Sequence, residues 1–199
     1  MRIEPVTLCG RHIRLEPLSL DHHAQLCAVG LDPEIWRWNP WRIVRTPEDM
    51  HLYIELALQQ QASRTALPFA TIELAGGQAI GSTRFAGIDH DHRRVEIGST
   101  WIAPPWQRTA VNTEAKYLML RHAFEELGCV RVELKTDSLN QRSRAAIARI
   151  GATEEGIARN HMVTHSGRLR HSVYFSIIDA EWPSVKARLE DKLARPPQP

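Results

Sequence analysis

The sequence predicts a mixed α+β fold, in which a central mixed, mostly antiparallel sheet carries helices on both faces. Two observations lead to this class. Segments with the two-residue period of strands alternate along the chain with segments that have the helical period of 3.6 residues. One strand–helix–strand passage, over about residues 95–136, implies a parallel pair inside the antiparallel order. The carboxyl ends of such a pair form a natural ligand crevice.

The composition and net charge of the chain limit the classes of protein to which it can belong. The chain has 199 residues, of which 43% are hydrophobic and 24% charged, and its net charge is +2. These values are typical of one globular domain and argue against disorder and against nucleic-acid binding by charge alone. Cys9, Cys27 and Cys129 form no CxxC pair, so we expect reduced thiols. Without a membrane-length apolar run or a signal segment behind Met1, we expect a cytoplasmic protein with no membrane or nucleic-acid partner.

The first elements follow from alternation and capping. Residues 11–17 alternate apolar and polar side chains, which predicts a half-buried strand ended by Pro17. Ser19 or Asp21 then caps a short helix through Val29. Thr46 and Pro47 are typical of an N-cap and a first helical residue, so a second helix is expected to about Ser63.

The rest of the chain supplies the remaining strands and helices. Polar turns separate three strand patterns that predict an antiparallel meander, and the later patterns alternate between helix and strand. Residues 1–194 are expected to form one domain, and residues 195–199 a disordered tail. The predicted elements are strands at 67–74, 79–88, 95–103, 130–136, 156–164 and 168–178, and helices from about 111 to Gly128, at 140–150 and from Asp179 to about Leu193.

The passage from the strand at 95–103 into the next helix carries the strongest chemical signal. The first turn of a helix leaves backbone N–H groups unpaired, and the helix dipole favours an anion there. Arg108 adds a positive charge to this turn, which therefore predicts a phosphate site.

At this turn the sequence resembles the GCN5-related N-acetyltransferases (GNAT), and within them the branch related to the ribosomal-protein N-terminal acetyltransferases (RimJ/RimL-like). In that family the turn holds the pyrophosphate of coenzyme A through the pattern Gln/Arg-x-x-Gly-x-Gly/Ala. Arg108 matches, whereas Val111 and Thr113 stand where glycine and a small residue are expected. The resemblance implies a GNAT acyl-CoA N-acyltransferase fold and coenzyme contacts from Trp101, Ile102, Ala103, Arg108, Thr109, Ala110, Val111, Asn112 and Thr113.

A second segment extends the resemblance. Residues 136–152 resemble the family segment in which an asparagine, here Asn140, binds the coenzyme near its pantetheine arm. Asn140 is also a good helix N-cap, and the two roles are compatible. The helix position that often carries a tyrosine acid is Ile147 here, which excludes that acid. In the ribosomal-protein branch, a serine at the position of Ser143 serves the leaving thiolate; the alternative is a plain helix-face serine.

Glu96 is the candidate general base, because it is an acid inside an apolar strand near the predicted parallel pair. The alternative is a solvent-facing strand residue, since alternation places it opposite Val95 and Ile97. The last two strands carry three further candidates for the base, among which spacing does not choose: His161, His165 and His171.

The segment 35–41 holds three of the six tryptophans, and Pro40 prevents a regular helix through it. Trp36, Trp38 and Trp41 are candidate walls of an acceptor pocket, or else a hydrophobic anchor or a dimer contact. His90 and His92 flank Asp91 in a polar turn, but an HxH pair without further fixed ligands predicts no metal site.

The sequence therefore predicts an acetyl-CoA-dependent N-acetyltransferase, with acetyl-CoA as cosubstrate and no metal. The expected chemistry is direct attack of an amine in a ternary complex, with the thioester carbonyl polarised by a backbone N–H beside a bulge near Gly98. The acceptor stays open between a protein N-terminus and a small amine, as does a homodimer. A non-catalytic acyl-CoA sensor and a nucleic-acid module are the alternatives; the second lacks aromatic residues among its arginines.

Overall fold

The computed structural model describes residue 1 and residues 3–195. Within them eight strands form one sheet, and six α-helices pack on its two faces. The strands are β1 (Leu8–Cys9), β2 (Ile13–Pro17), β3 (Leu67–Glu73), β4 (Ala79–Asp89), β5 (Arg94–Ile102), β6 (Arg131–Asp137), β7 (Thr153–Val163) and β8 (Leu169–Ile178). The helices are α1 (His23–Gly30), α2 (Pro33–Trp36), α3 (Pro47–Ala62), α4 (Val111–Arg121), α5 (Gln141–Arg149) and α6 (Trp182–Ala194).

The strand order is β1-β2-β3-β4-β5-β6-β8-β7, and every neighbouring pair is antiparallel except β5 and β6. The mixed, mostly antiparallel sheet predicted from the sequence is therefore confirmed. Its parallel pair lies in the predicted 95–136 passage, because α4 carries the chain back over the sheet between these two strands.

Helices cover both faces of the sheet. On the face that we call the back, α4, α5 and α6 pack apolar side chains such as Leu118, Ile147 and Val185 against β5, β6 and β8. On the opposite face, called the front, α1, α2 and α3 enclose a second core with Trp36 and Trp101. No helix among the described residues is long and apolar enough to span a bilayer.

Local differences from the prediction have physical causes. The short α2 is missed by periodicity, although Asp32 caps it and Pro33 occupies its first turn. β7 begins at Thr153, before the predicted 156, because a register irregularity accommodates Gly156 within the strand. The helix predicted to Gly128 is α4 followed by a π-helical turn, His122–Glu126. Residues 196–199 of the expected disordered tail lie outside the described residues.

The sheet opens at its centre. β5 and β6 pair at three positions only, from Arg94 with Arg131 to Glu96 with Glu133. Beyond them β5 continues its pairing with β4, and β6 with β8. The strands therefore diverge towards their carboxyl ends and leave a gap between them.

Candidate functional site

A β-bulge lies in β5 beside this gap. The register with β4 shifts between Ser82, opposite Trp101, and Arg84, opposite Gly98. Ser99, inside the bulge, has φ of 49°, a left-handed conformation that is uncommon for a residue other than glycine. The structure thus has a bulge where the sequence predicts one, and the bulge frees backbone groups of β5 from the ladder.

The turn that follows β5 leads directly into α4. Ala110 precedes the helix and provides no side-chain cap. Among the described residues, no side chain accepts a hydrogen bond from the backbone N–H groups of Asn112 and Thr113. The Val111 N–H makes a long contact of 3.3 Å with Oγ1 of Thr109. The positive end of the dipole of this 11-residue helix therefore lies beside the gap, together with backbone N–H donors that have no side-chain acceptor among the described residues.

The residues at the positions of the family's glycine and small residue are both buried. Val111 is 5% exposed and Thr113 4% exposed, and Val111 packs into the back-face core. Arg108 takes φ of 63°, the left-handed conformation that a glycine usually supplies, and its side chain is exposed.

Two side chains tie this turn to its surroundings. Gln107 donates from Nε2 to the carbonyl of Ile102 (2.7 Å), and its Oε1 accepts from Nη2 of Arg142 (2.6 Å). The end of β5 and the start of α5 are thereby linked across the gap. The Ile102 carbonyl, one of the backbone groups predicted to contact a coenzyme, is engaged by Gln107, whereas Ala103 pairs its N–H with Ile80.

Asn140 and Ser143 lie on the far side of the gap. Oδ1 of Asn140 accepts the N–H of Ser143 (3.0 Å), so the predicted N-cap is present. This contact uses only the oxygen of the amide, and among the described residues Nδ2 donates to no other group. Ser143 is half-buried in the first turn of α5. Ile147, one turn further, is buried in the back-face core and contributes no acid.

Glu96 is not a freely solvated strand residue. Nζ of Lys135 on β6 donates to its Oε2 (2.9 Å), and the Glu96 side chain is only 20% exposed and that of Lys135 23%. Its Oε1 lies 2.8 Å from where a Cβ on Gly98 would be. The carboxylate of Glu96 is therefore held over Gly98, next to the bulge. It occupies space that is free because Gly98 has no side chain.

The three histidines around the last two strands, which the sequence left as alternative bases, lie in different surroundings in the structure. His161 places Nε2 at 3.1 Å from the Tyr174 hydroxyl and Nδ1 at 3.0 Å from Oγ of Ser172. Burial lowers the pKa of His161, and the cations Lys135 and Arg170 lower it further. His161 is thus mainly neutral near pH 7 and belongs to the group of front-face side chains around Glu96.

The other two histidines have different surroundings. His165 is exposed in the β7–β8 turn, and its backbone N–H donates to the carbonyl of Pro40 (2.9 Å). His171 accepts the backbone N–H of Asn160 at Nδ1 (2.8 Å). By strand alternation it points to the face opposite Ser172, so its side chain is not part of the group around Glu96.

The three tryptophans have three different environments. Trp36 is 1% exposed, packs 5.2 Å from the rings of Tyr53 and Trp101, and donates Nε1 to the Gly30 carbonyl. Its position is that of the hydrophobic anchor, the alternative weighed from the sequence. Trp38 is half-buried and lies against Arg168 of the β7–β8 turn. Trp41 is 70% exposed.

The tryptophan segment therefore meets the β7–β8 turn above the gap. Arg168 connects the two, because its guanidinium lies 5.9 Å from the Trp38 ring and its Nη2 donates to the buried Asp137 at the end of β6. Beside it, Trp41, Arg42, Ile43, Arg45 and His165 line an open pocket of about 330 Å³. A larger depression, of about 680 Å³ near Tyr117 and Lys186, lies on the back of the molecule, away from the bulge.

Two residues of this region carry signals that sequence reasoning missed. Lys116 of α4 is buried, and its Nζ donates to Oγ1 of Thr100 in the bulge (2.6 Å), which in turn lies 2.8 Å from Oγ1 of Thr83. Burial lowers its pKa to about 7. Arg170 of β8 is likewise buried. A lysine in an otherwise apolar helix stripe was visible in the sequence; the burial of Arg170 was not.

Possible metal ligands occur throughout the described chain. Among residues 1 and 3–195, no group of three or more His, Cys, Asp or Glu side chains is placed to hold an ion. His90 instead contacts the Met1 carbonyl from Nδ1 (2.9 Å), and His92 is exposed in the turn.

Comparison with known proteins assigns the family. Residues 12–153 match the Acetyltransferase (GNAT) domain. The chain therefore belongs to the GNAT acetyltransferases and is an acyltransferase, as the resemblance of its motifs implies.

The similar proteins agree with this. "Putative ribosomal N-acetyltransferase YdaF" of Bacillus subtilis is 34% identical over 113 residues, which span 57% of this chain and 61% of that protein. The chain thus spans about three fifths of the length of this curated relative. A GCN5-related N-acetyltransferase from Brucella melitensis is 33% identical, with a TM-score of 0.89 over 96% of this chain and 87% of that one. An acetyltransferase structure from T. thermophilus is 35% identical, with a TM-score of 0.88 over 97% and 100%.

Proposed function

We propose that this acyltransferase moves the acetyl group of acetyl-CoA to a primary amine by direct attack in a ternary complex. The observation that carries the proposal is the continuity of three features. The gap between β5 and β6, the bulge at Ser99 and the uncapped start of α4 follow one another along a single stretch of chain. An extended cosubstrate with a phosphate at one end and a thioester at the other fits this sequence of sites.

In this proposal the pyrophosphate binds the N–H groups from Thr109 to Thr113, with Arg108 as a neighbouring charge. The pantetheine arm follows β5 through Trp101 to Ala103 and passes Nδ2 of Asn140. A backbone N–H of the bulge donates to the thioester carbonyl, which gains negative charge during attack. The burial of Val111 and Thr113, which leaves little of either side chain at the surface of the turn, supports coenzyme binding without the family's glycines.

Glu96 is the proposed base that takes a proton from the amine, directly or through water. It lies beside the bulge, and Lys135 holds it in place. The ammonium form of an amine is not nucleophilic, so a group that removes its proton is needed. His161 is the alternative base, because it is close to the same group and its lowered pKa keeps it neutral.

Ser143 is proposed to serve the leaving thiolate, since it follows the Asn140 cap on the coenzyme side of the gap. On the acceptor side, Trp38 and Trp41 are proposed to line the opening, while Trp36 anchors the segment that carries them. Residues 1–194 are proposed to act as one catalytic unit. A cytoplasmic location, a homodimer and the absence of a nucleic-acid partner stay predictions from the sequence.

The test combines turnover with coenzyme binding. Glu96→Gln is expected to lower kcat by roughly 10²–10⁴-fold, the usual effect of losing a general base, while acetyl-CoA affinity in calorimetry is retained. Glu133→Gln is the matched control, because it changes the neighbouring front-face carboxylate of β6. Near-native turnover with an unchanged pH profile in Glu96→Gln would transfer the role to His161. Coenzyme binding without transfer to any amine would support the non-catalytic sensor instead.

A further inference from the structure

Arg170 is a buried cation without a carboxylate partner. It is 5% exposed, and its Nε donates to Oγ of Ser172 (3.1 Å). Within the described residues its guanidinium makes no ion pair, and its Nη atoms contact solvent and not a protein acceptor. A buried charge is costly unless it is paired, so an arginine in this state is expected to have a partner that binds there.

Arg170 faces the proposed reaction site. Asp137 pairs with Ser172, and Lys135 with Tyr174, so Arg170 projects to the front face together with these side chains. Burial lowers the pKa of Arg170, and the nearby carboxylates of Asp137 and Glu96 raise it in compensation. The guanidinium therefore lies within electrostatic reach of the proposed base.

The neighbouring charges are already used in pairs. Lys135 is bonded to Glu96, and Arg168 is bonded to Asp137. Lys135 and Arg168 are thus each matched by a carboxylate, whereas Arg170 is not. Arg42 and Arg45 add positive charge to the pocket beside Trp41, which lies on the same approach.

We infer that the amine acceptor carries a carboxylate, which Arg170 binds while the amine faces Glu96 and the bulge. This inference rests on the proposed function. A guanidinium binds a carboxylate through two parallel N–H···O bonds, and this geometry fixes direction as well as affinity. The chemistry fits a free amino acid, through its α-carboxylate, and equally a peptide N-terminus followed by an acidic side chain.

The experiment compares acceptors that differ only in the carboxylate. L-phenylalanine is paired with 2-phenylethylamine, glycine with methylamine, and Ser-Asp-amide with Ser-Asn-amide. We expect kcat/KM to favour the carboxylate member of at least one pair by about tenfold or more, as for a charge-assisted contact in a partly buried site. The first two pairs detect an α-carboxylate, and the third detects an acidic side chain.

Arg170→Gln is expected to reduce this preference to about twofold or less, because a neutral amide cannot replace the ion pair. Arg170→Lys is expected to restore part of it, and it retains a buried cation if the Gln variant does not fold. The control is Arg159→Gln, an exposed arginine of the adjacent β7. Equal kcat/KM within every pair, or the same preference in wild type and both Arg170 variants, would overturn the inference.

A binding measurement separates this inference from the proposed function. N-acetyl-L-phenylalanine and N-acetyl-2-phenylethylamine are titrated into the protein with coenzyme A, and tryptophan fluorescence reports binding near Trp38. Tighter binding of the carboxylate compound, lost in Arg170→Gln, would support the carboxylate site even if no acceptor were turned over. Equal binding of the two compounds to the wild-type protein, together with equal binding of N-acetyl-Ser-Asp-amide and N-acetyl-Ser-Asn-amide, would reject it.

Discussion

Glu114 links the start of α4 to the strand at the other end of the chain. Its carboxylate accepts three consecutive backbone N–H groups, from Arg11 (2.7 Å), His12 (2.8 Å) and Ile13 (2.9 Å). The residue is 4% exposed, and a Cβ on Gly10 would lie 2.5 Å from its Cδ. The turn before β2 is thus built around this side chain, which cannot be exchanged without leaving its donors unpaired.

Replacement of Glu114 by alanine is expected to cost about 3–5 kcal/mol of unfolding free energy. A hydrogen bond to a charged group contributes about 1.5–3 kcal/mol, and water that enters the cavity recovers part of the loss from three such bonds. Glu114→Gln should cost less, about 2 kcal/mol, because one amide oxygen still accepts while the NH₂ group faces donors.

Urea unfolding at pH 7, followed by circular dichroism, measures these differences. Glu126→Ala, an exposed glutamate in the π turn after α4, is the control and should change stability by less than about 0.5 kcal/mol. Because Glu114 lies in the first turns of α4, its loss should also weaken acetyl-CoA binding in the folded protein. A cost below about 1 kcal/mol for Glu114→Ala would refute the reasoning that these bonds hold the helix start to β2.

Three further predictions concern the site. Ala110→Pro should weaken acetyl-CoA binding in calorimetry, because the φ of −66° at this position is compatible with proline while one N–H donor is lost. Ala110→Ser, the control, should bind acetyl-CoA normally. Equal affinities of the two variants would contradict the placement of the phosphate at this turn. Trp38→Ala should raise the KM for the amine and leave the KM for acetyl-CoA nearly unchanged; a change in stability alone would make Trp38 an anchor. The third prediction concerns Lys116, whose pKa in the folded protein is lowered to about 7. Between pH 7 and 10 its amine is therefore protonated in the unfolded chain and mostly neutral in the folded protein. Stability should therefore rise by about 3 kcal/mol over this range relative to Lys116→Met, and parallel pH profiles of the two proteins would contradict the burial of a neutral amine.

The turn between β5 and α4 shows how much of the proposed site can be predicted from local sequence. A strand followed by proline, a short turn and an amphipathic helix predicts an anion site without any knowledge of tertiary contacts, because the unpaired N–H groups belong to the helix itself. The N-cap role of Asn140 was predicted from a similarly local signal, whereas the bulge near Gly98 was part of the expected reaction mechanism. Whether Val111 and Thr113 obstruct the turn could not be read from the sequence, since that depends on which side of α4 the back-face core covers.

The sequence by itself determined the fold class, the order of the main strands and helices, and the position of the helix start that we propose as a phosphate site. These features depend on periodicity, capping and turn residues, which act over a few positions. Only the tertiary structure decided which side chains meet around Glu96. Lys135, His161 and Arg170 come from three strands that the sheet order brings together, since β8 lies between β6 and β7. Their charges, burial and pairing arise from contacts between residues far apart in the chain, and no local pattern records such contacts.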